Sequence, residues 1–406
     1  MSHRKLMLEV LSKGSGMLQL EPCWVPRSFL MPGRRLRLHP DDIYALGAHR
    51  GGIDERWFAS TTRAANGPLT PEDEGLSYVR QGNVRFLLRD ALEEMGDELL
   101  GPKVMSREKG WNVLCKFFDN LGPIPFHMHQ NDDCAARVGQ KGKPEAYYFP
   151  PQYNHQRNNF PYTFMGLEPG TAKEEVRQCL ASWNRGDNKI LNLSKAYRLE
   201  PGAGWRVNPG ILHAPGSLVT YEPQVNSDVF AMFQSLVEDR PVDRNLLVKD
   251  VPAEYANDLD YLVEMLDWEA NVDAEFGKHN HVKPLPVKSI EETQEEGYKE
   301  YWVTYGTKHY SAKELTILPG RTATIRDPAA YGLILTQGHG RIGLLEVETP
   351  TLIRFGEMTR DELFVSAAAA AEVRIENYSK TEPLVILKHF GPENPDAVGL
   401  QRHFAN

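Results

Sequence analysis

The sequence predicts a mainly β protein in which two barrel-like strand sets, the first interrupted by helical insertions, are joined by a helical linker. Three observations carry this expectation. Short strand-like runs punctuated by Gly and Pro occur at Trp111–Phe118, Ala196–Leu199 and Asp228–Val237. A denser series runs from Tyr301 to Leu387 and reads as about seven or eight short strands, with turns at Pro319-Gly320 and Gly338-His339-Gly340. Between them, from about Glu238 to Lys299, the chain is acidic, helical and Pro-containing, without strand alternation. Regular short strands of this kind close into sandwiches or barrels. The expected units are therefore residues 1–240, a linker over 241–299, and residues 300–406.

The helical insertions follow from periodicity. Val84, Leu87, Leu88, Ala91, Leu92 and Met95 recur at helical spacing and predict a first helix. A second is expected to begin at Thr171, with Glu174 three residues on as a capping box and Val176, Cys179, Leu180 and Trp183 on one face. A third starts near Pro252 and aligns Tyr255, Leu259, Leu262 and Leu266. These faces are core contacts. Ala367–Ala371 is too short to be a low-complexity segment.

Composition narrows the function classes. The 406 residues carry 46 Lys+Arg against 55 Asp+Glu, a formal charge of −9, with no basic block to hold nucleic acid. Hydrophobic residues make up 41% and charged residues 25%, as expected of a water-soluble chain with two or three domains. The opening MSHRKLMLEVLSKGSG has no continuous apolar stretch of the signal-peptide kind, and nothing approaches the ~18 apolar residues of a membrane span. The four cysteines lack CxxC spacing, which argues against a disulfide framework and for a cytoplasmic protein.

The chemistry lies between Gly122 and Glu222. His127-Met128-His129 places two imidazoles two residues apart, and positions i and i+2 of an extended segment point to the same face. Glu145 follows, and His213 comes after the turn Pro209-Gly210. Three neutral imidazoles and a carboxylate suit one divalent metal: zinc first, with Mn, Fe, Co or Ni also accommodated. The other histidines are less informative. His155 sits in a polar loop, and His279-Asn280-His281 has no further ligand at useful spacing and reads as exposed linker. Tyr147 and Tyr148 either line the pocket mouth or simply pack.

The order Gly, HxH, Glu, then Pro-Gly-x-x-His resembles the cupin pattern. More specifically, the chain resembles the type I phosphomannose isomerases, two-barrel cupins with one metal site. The match runs through Trp111–Asp119, His127–Asp132, Gly142-Lys143-Pro144-Glu145, Pro209–Ala214, Glu222 and Ser227-Asp228. Upstream it includes Glu55-Arg56-Trp57, Ser60 and Asn66-Gly67, and it covers most of the first 240 residues. The second half is similar only in outline, through Pro319-Gly320, Gly338-His339-Gly340 and Asp361–Val365. It has no HxH, its His309, His339 and His389 lie far apart, and it is expected to be a cupin barrel without metal.

The resemblance implies two jelly-roll barrels, one metal held by His127, His129, Glu145 and His213, and catalytic roles for Lys143 and Glu222. It further implies a metal-dependent aldose–ketose isomerase or epimerase acting on a sugar or sugar phosphate. Two positions depart from the pattern. His127 stands where the family has glutamine, and Met232 stands where counting on from Ser227 places the family's arginine. No phosphate cradle is visible, and the directions of Arg321, Arg326, Arg341 and Arg354 are open. Two other classes share the ligand set: a non-haem iron cupin dioxygenase, and a non-catalytic sugar-binding two-barrel cupin. The expected partner is a small carbohydrate, with neither nucleic acid nor membrane, and a homodimer is compatible with exposed barrel edges.

Overall fold

The computed structural model describes residues 3–392 and 394–400. It is mainly β, and every strand pairing in its larger sheets is antiparallel. The first sheet has seven strands in the order His281–Val282, Gly204–Val207, Glu145–Tyr148, Thr220–Val225, Val113–Phe118, Ile53–Phe58, Cys23–Pro26. Facing it is a second, five-stranded sheet: Ser194–Arg198, Tyr162–Leu167, His213–Ala214, His127–Met128, Ala231–Met232. Phe118, Tyr147, Trp205 and Val207 of the first sheet pack with Met165 of the second in one apolar cluster.

A third sheet of seven strands and a fourth of four hold the segment from Tyr298 to Phe390. Their shared core contains Leu315, Ile317 and Leu333 from the third, and Ile325, Ile342 and Ile375 from the fourth. The dense strand series expected from the sequence is present, as nine strands over this span. Both ends of this region borrow from elsewhere. Met17–Gln19 pairs with Glu362–Val365, and Leu285–Pro286 pairs with Tyr298–Thr304.

The first and third sheets also pack on each other. Phe58, Cys115, Phe117, Tyr148 and Tyr221 from the first meet Val303, Ala312, Ile334 and Leu387 from the third. The first sheet is thereby covered on both faces, so all six residues of Val113–Phe118 and of Thr220–Val225 are buried.

Periodicity misplaced three helix starts. Val84–Leu87 is a strand paired with Tyr78–Gln81, and the helix begins only at Leu88. Gly82, at φ 58°, opens the two-residue turn that folds these strands together, and helical spacing cannot register such a reversal. The second helix is Lys173–Ala181, one residue later than the capping box implies. Ala172 precedes it, and its backbone N–H donates to Glu175 Oε2, while Thr171 bonds back to Glu168. The third divides into a single turn at Ala253–Tyr255 and a helix at Leu259–Glu264, which Asp258 caps by accepting from Asp260 and Tyr261. Leu262 and Leu266 are buried as expected. Among the described residues no helix is long and apolar enough to cross a membrane.

Candidate metal centre

Strand alternation builds the site. Lys116 lies directly opposite Glu222 on one neighbouring strand and opposite Trp57 on the other. Glu55 and Trp57 therefore share a face with Lys116, while Arg56, between them, points to the opposite side and pairs with Asp361 at 2.8 Å. Glu145 lies opposite Gln224 and places its carboxylate on the same face as Glu222. The second sheet faces this row with His213 opposite His127, and His127 opposite Met232. The space between the two sheets is a cavity lined by Glu55, Lys116, His127, Glu145, Glu222 and Met232 and by Arg27, His129 and Asp228.

Each of the three histidines is oriented by a backbone carbonyl. Nδ1 of His127 donates to Pro125 O at 2.7 Å, that of His129 to Val229 O at 2.7 Å, and that of His213 to Ile211 O at 2.9 Å. A carbonyl only accepts, so each Nδ1 carries the proton and each Nε2 is left with a lone pair. The turn before His213 is fixed by Asn271, whose side-chain N–H donates to Gly210 O at 2.7 Å and whose Oδ1 accepts from Leu212 N at 2.9 Å. Gly210 has φ 79°, and a Cβ there would lie 2.7 Å from Asp267 N, so both conformation and space require glycine. Ligand-capable atoms of the three imidazoles lie within 4.8 Å of one another.

The donor set fits a cation. His129 Nε2 lies 3.0 Å from Glu145 Oε2, and His213 Nε2 lies 3.2 Å from Glu145 Oε1. Lys143 Nζ, 3.2 Å from His129 Nε2 and 3.0 Å from Glu145, offsets the charge at the first contact. At the second the His213 lone pair faces the carboxylate directly, a contact that repels unless a positive charge lies between them. Burial disfavours the imidazolium, holding His129 down at about 4 and His127 well below the usual histidine range. His213 Nε2 is buried without a hydrogen-bond partner. These three histidines can hold one metal ion.

Charge continues beyond the histidines. Lys143 Nζ lies 3.0 Å from Glu145 and 3.9 Å from Glu222. Tyr147 donates its hydroxyl to Glu145. Burial, reinforced by the charge of Glu145, pushes Glu222 up to about 8. Against its own burial, Asp228 is held well below the usual carboxylate range by Arg27, whose guanidinium lies 3.2 Å away.

All six residues singled out by the sequence, His127, His129, Lys143, Glu145, His213 and Glu222, are buried, and they converge here. Tyr147 lines the cavity, whereas Tyr148 faces away and donates to Glu314 at 2.8 Å. His155 is exposed in a separate cleft beside Arg34 and His339. His279 is exposed, but His281 is not free linker. It is half-buried in a strand opposite Trp205. Sequence reasoning missed Arg27, Glu55 and Lys116 as site residues, and it missed the clamp at Asn271. A lysine inside the apolar strand Val113–Phe118 was the signal available.

This architecture, antiparallel sheets around a histidine cluster, is similar to that of solved mannose-6-phosphate isomerases. The chain is similar to the Bacillus subtilis mannose 6-phosphate isomerase structure at 16% identity and a TM-score of 0.60, covering 92% of this chain and 99% of that one. An Archaeoglobus fulgidus protein assigned as a mannosephosphate isomerase matches at 16% and 0.61, over 93% and 97%. A zinc-bound mannose 6-phosphate isomerase matches at 13% and 0.59, over 93% and 100%. No protein-family model and no curated sequence matches the chain.

Proposed function

We propose that this protein is a metal-dependent aldose–ketose isomerase of the mannose-6-phosphate isomerase kind, formed by two cupin barrels over residues 1–240 and 300–406 with a helical linker between them. The observation that carries the reading is the clustering of three carbonyl-oriented histidines, two of which, His129 and His213, place Nε2 within 3.2 Å of Glu145, with Lys143 and Glu222 beside them. The fold shared with solved mannose-6-phosphate isomerases supports it. His127, His129, Glu145 and His213 would hold one divalent ion, zinc first. When bound, that ion polarises carbonyl and hydroxyl oxygens as a Lewis acid.

The chain's own residues supply the proton traffic. Isomerisation moves a proton from C2 of the aldose to C1 and another from the C2 hydroxyl to the carbonyl oxygen, leaving the composition unchanged. Glu222 is the base that takes the C2 proton and returns it at C1. Burial raises its affinity for a proton above that of an ordinary carboxylate, which makes it a stronger base. Lys143, buried and 3.9 Å from Glu222, donates to a substrate oxygen and keeps Glu222 accessible as a carboxylate. Four free cysteines suit a cytoplasmic location, and homodimerisation through sheet edges is part of this reading.

The test is metal content of the purified wild type and of His129→Ala, followed by an isomerisation screen over sugars and sugar phosphates. About one divalent ion per chain, lost together with turnover in the variant, is the expected outcome. Bound iron with substrate-dependent O₂ consumption would replace the isomerase with a dioxygenase, and two metal-free proteins after reconstitution would end the metalloenzyme reading.

A further inference from the structure

We propose that the cavity takes an uncharged sugar or polyol rather than a sugar phosphate, an inference that rests on the isomerase reading and names its substrate class. The argument is one of charge pairing. Three cationic side chains line the cavity, and all are committed to carboxylates. Arg27 lies 3.2 Å from Asp228 and 3.2 Å from Glu55, and also donates to Asn66 at 2.9 Å. Lys116 bridges Glu55 at 3.1 Å and Glu222 at 3.4 Å, and Lys143 bridges Glu145 at 3.0 Å and Glu222 at 3.9 Å.

Four carboxylates thus face three cations. Protonation of Glu222 would only bring the count level. A single divalent ion among the histidines would be drawn to Glu145, away from the Arg27–Asp228 end. Much of the remaining wall is apolar, including Phe29, Ile124, Phe230 and Met232. Lys249, which lies 4.3 Å over the Phe230 ring, is paired with Asp250 at 2.8 Å. Three arginines of the second half are paired as well: Arg326 with Glu372, Arg341 with Glu376, and Arg354 with Asp42. A phosphate dianion at the Arg27 end would meet cations already paired with carboxylates and would have to break a buried pair to gain one. Sugar hydroxyls, which donate, suit acceptor-only carboxylates such as Asp228 and Glu55.

The experiment uses the zinc-loaded full chain. Calorimetric binding of glucitol is compared with that of glucitol 6-phosphate, and kcat/KM for D-mannose with that for mannose 6-phosphate. The neutral member of each pair is expected to be preferred by roughly tenfold or more. Preference for the phosphorylated member overturns this inference and leaves the isomerase standing. Glucitol binding without turnover of either sugar supports the inference and removes the isomerase. Failure of both ligands to bind removes both. Asp228→Asn, which strips one carboxylate from Arg27, should shift the binding ratio toward glucitol 6-phosphate, and an unchanged ratio in a folded variant would refute the charge argument.

Discussion

Replacing Lys116 with methionine tests the electrostatics of the site most directly. The ammonium lies 3.1 Å from Glu55 and 3.4 Å from Glu222. Glu55 keeps two partners in the variant, Arg27 at 3.2 Å and the Trp57 N–H at 2.7 Å. Glu222 keeps only Lys143, at 3.9 Å, so the loss falls on Glu222. At an effective dielectric of about 20, unit charges ~4 Å apart interact by about 4 kcal/mol, and a pKa unit is about 1.4 kcal/mol. The ceiling is therefore about three units, and entry of water into the vacated space brings the expected rise to about one to two. A general base acts when ionised, so the acid limb of kcat/KM should move to higher pH by that amount. In the metal-free chain Glu222 starts at about 8. A bound cation offsets Glu145 and lowers that starting point, but the displacement caused by Lys116→Met stays upward. The assay is the pH profile of metal-loaded wild type and variant, with melting temperatures to verify folding. A uniform fall in kcat/KM with an unmoved acid limb would refute the assignment of Glu222 as the base.

His213→Ala removes one of the three lone pairs, so zinc should no longer raise its melting temperature. Wild type at a hundredfold excess over Kd should gain about 2.7 kcal/mol, read by calorimetry with and without chelator. Glu362, which accepts from Ala59 N at 3.1 Å, is pushed up to about 8 by burial from an ordinary 4.5. Between those values the folded state binds the extra proton, so stability falls as pH rises from about 4.5 to 8. Glu362→Gln should flatten that fall, and identical pH–Tm slopes in the two proteins would show that Glu362 does not titrate in this window.

Part of the site was legible because it is local. His127 and His129 share a face by the period of a strand, and Pro209-Gly210 announces a turn whose glycine is required by a positive φ. Lys143 and Glu145 sit together in one short motif. Arg27 and Glu55 had no local signal of function, and Lys116 only that of a lysine inside an apolar strand, because their roles come from how distant segments pair: Lys116 matters by lying opposite Glu222, 106 positions away in the chain. The same limit explains Val84 and Leu87, whose spacing suits a helix until the reversal at Gly82 pairs them with Gln81 and Tyr78. Asn271 was hidden further, since its contribution is a pair of bonds to the backbone before His213, made from a separate short helix.

Register also gives Met232 a meaning that its place in the chain does not. It lies directly opposite His127, in the row that continues to His213, and its side chain lines the cavity. Directly opposed residues on neighbouring strands are within interaction range. An arginine here would place a guanidinium beside the histidine cluster, where it would repel a bound cation and draw on Glu145 or Glu222 for a partner. Methionine imposes neither demand. With a thioether at this position, Glu145 stays with Lys143, Tyr147 and the histidines, and the cationic end of the cavity is Arg27, which enters from the opposite sheet already paired with Asp228 and Glu55. A methionine at this position adds no positive charge to a cavity whose three cationic side chains are all paired with carboxylates, and that pairing favours hydroxyl donors over a phosphate.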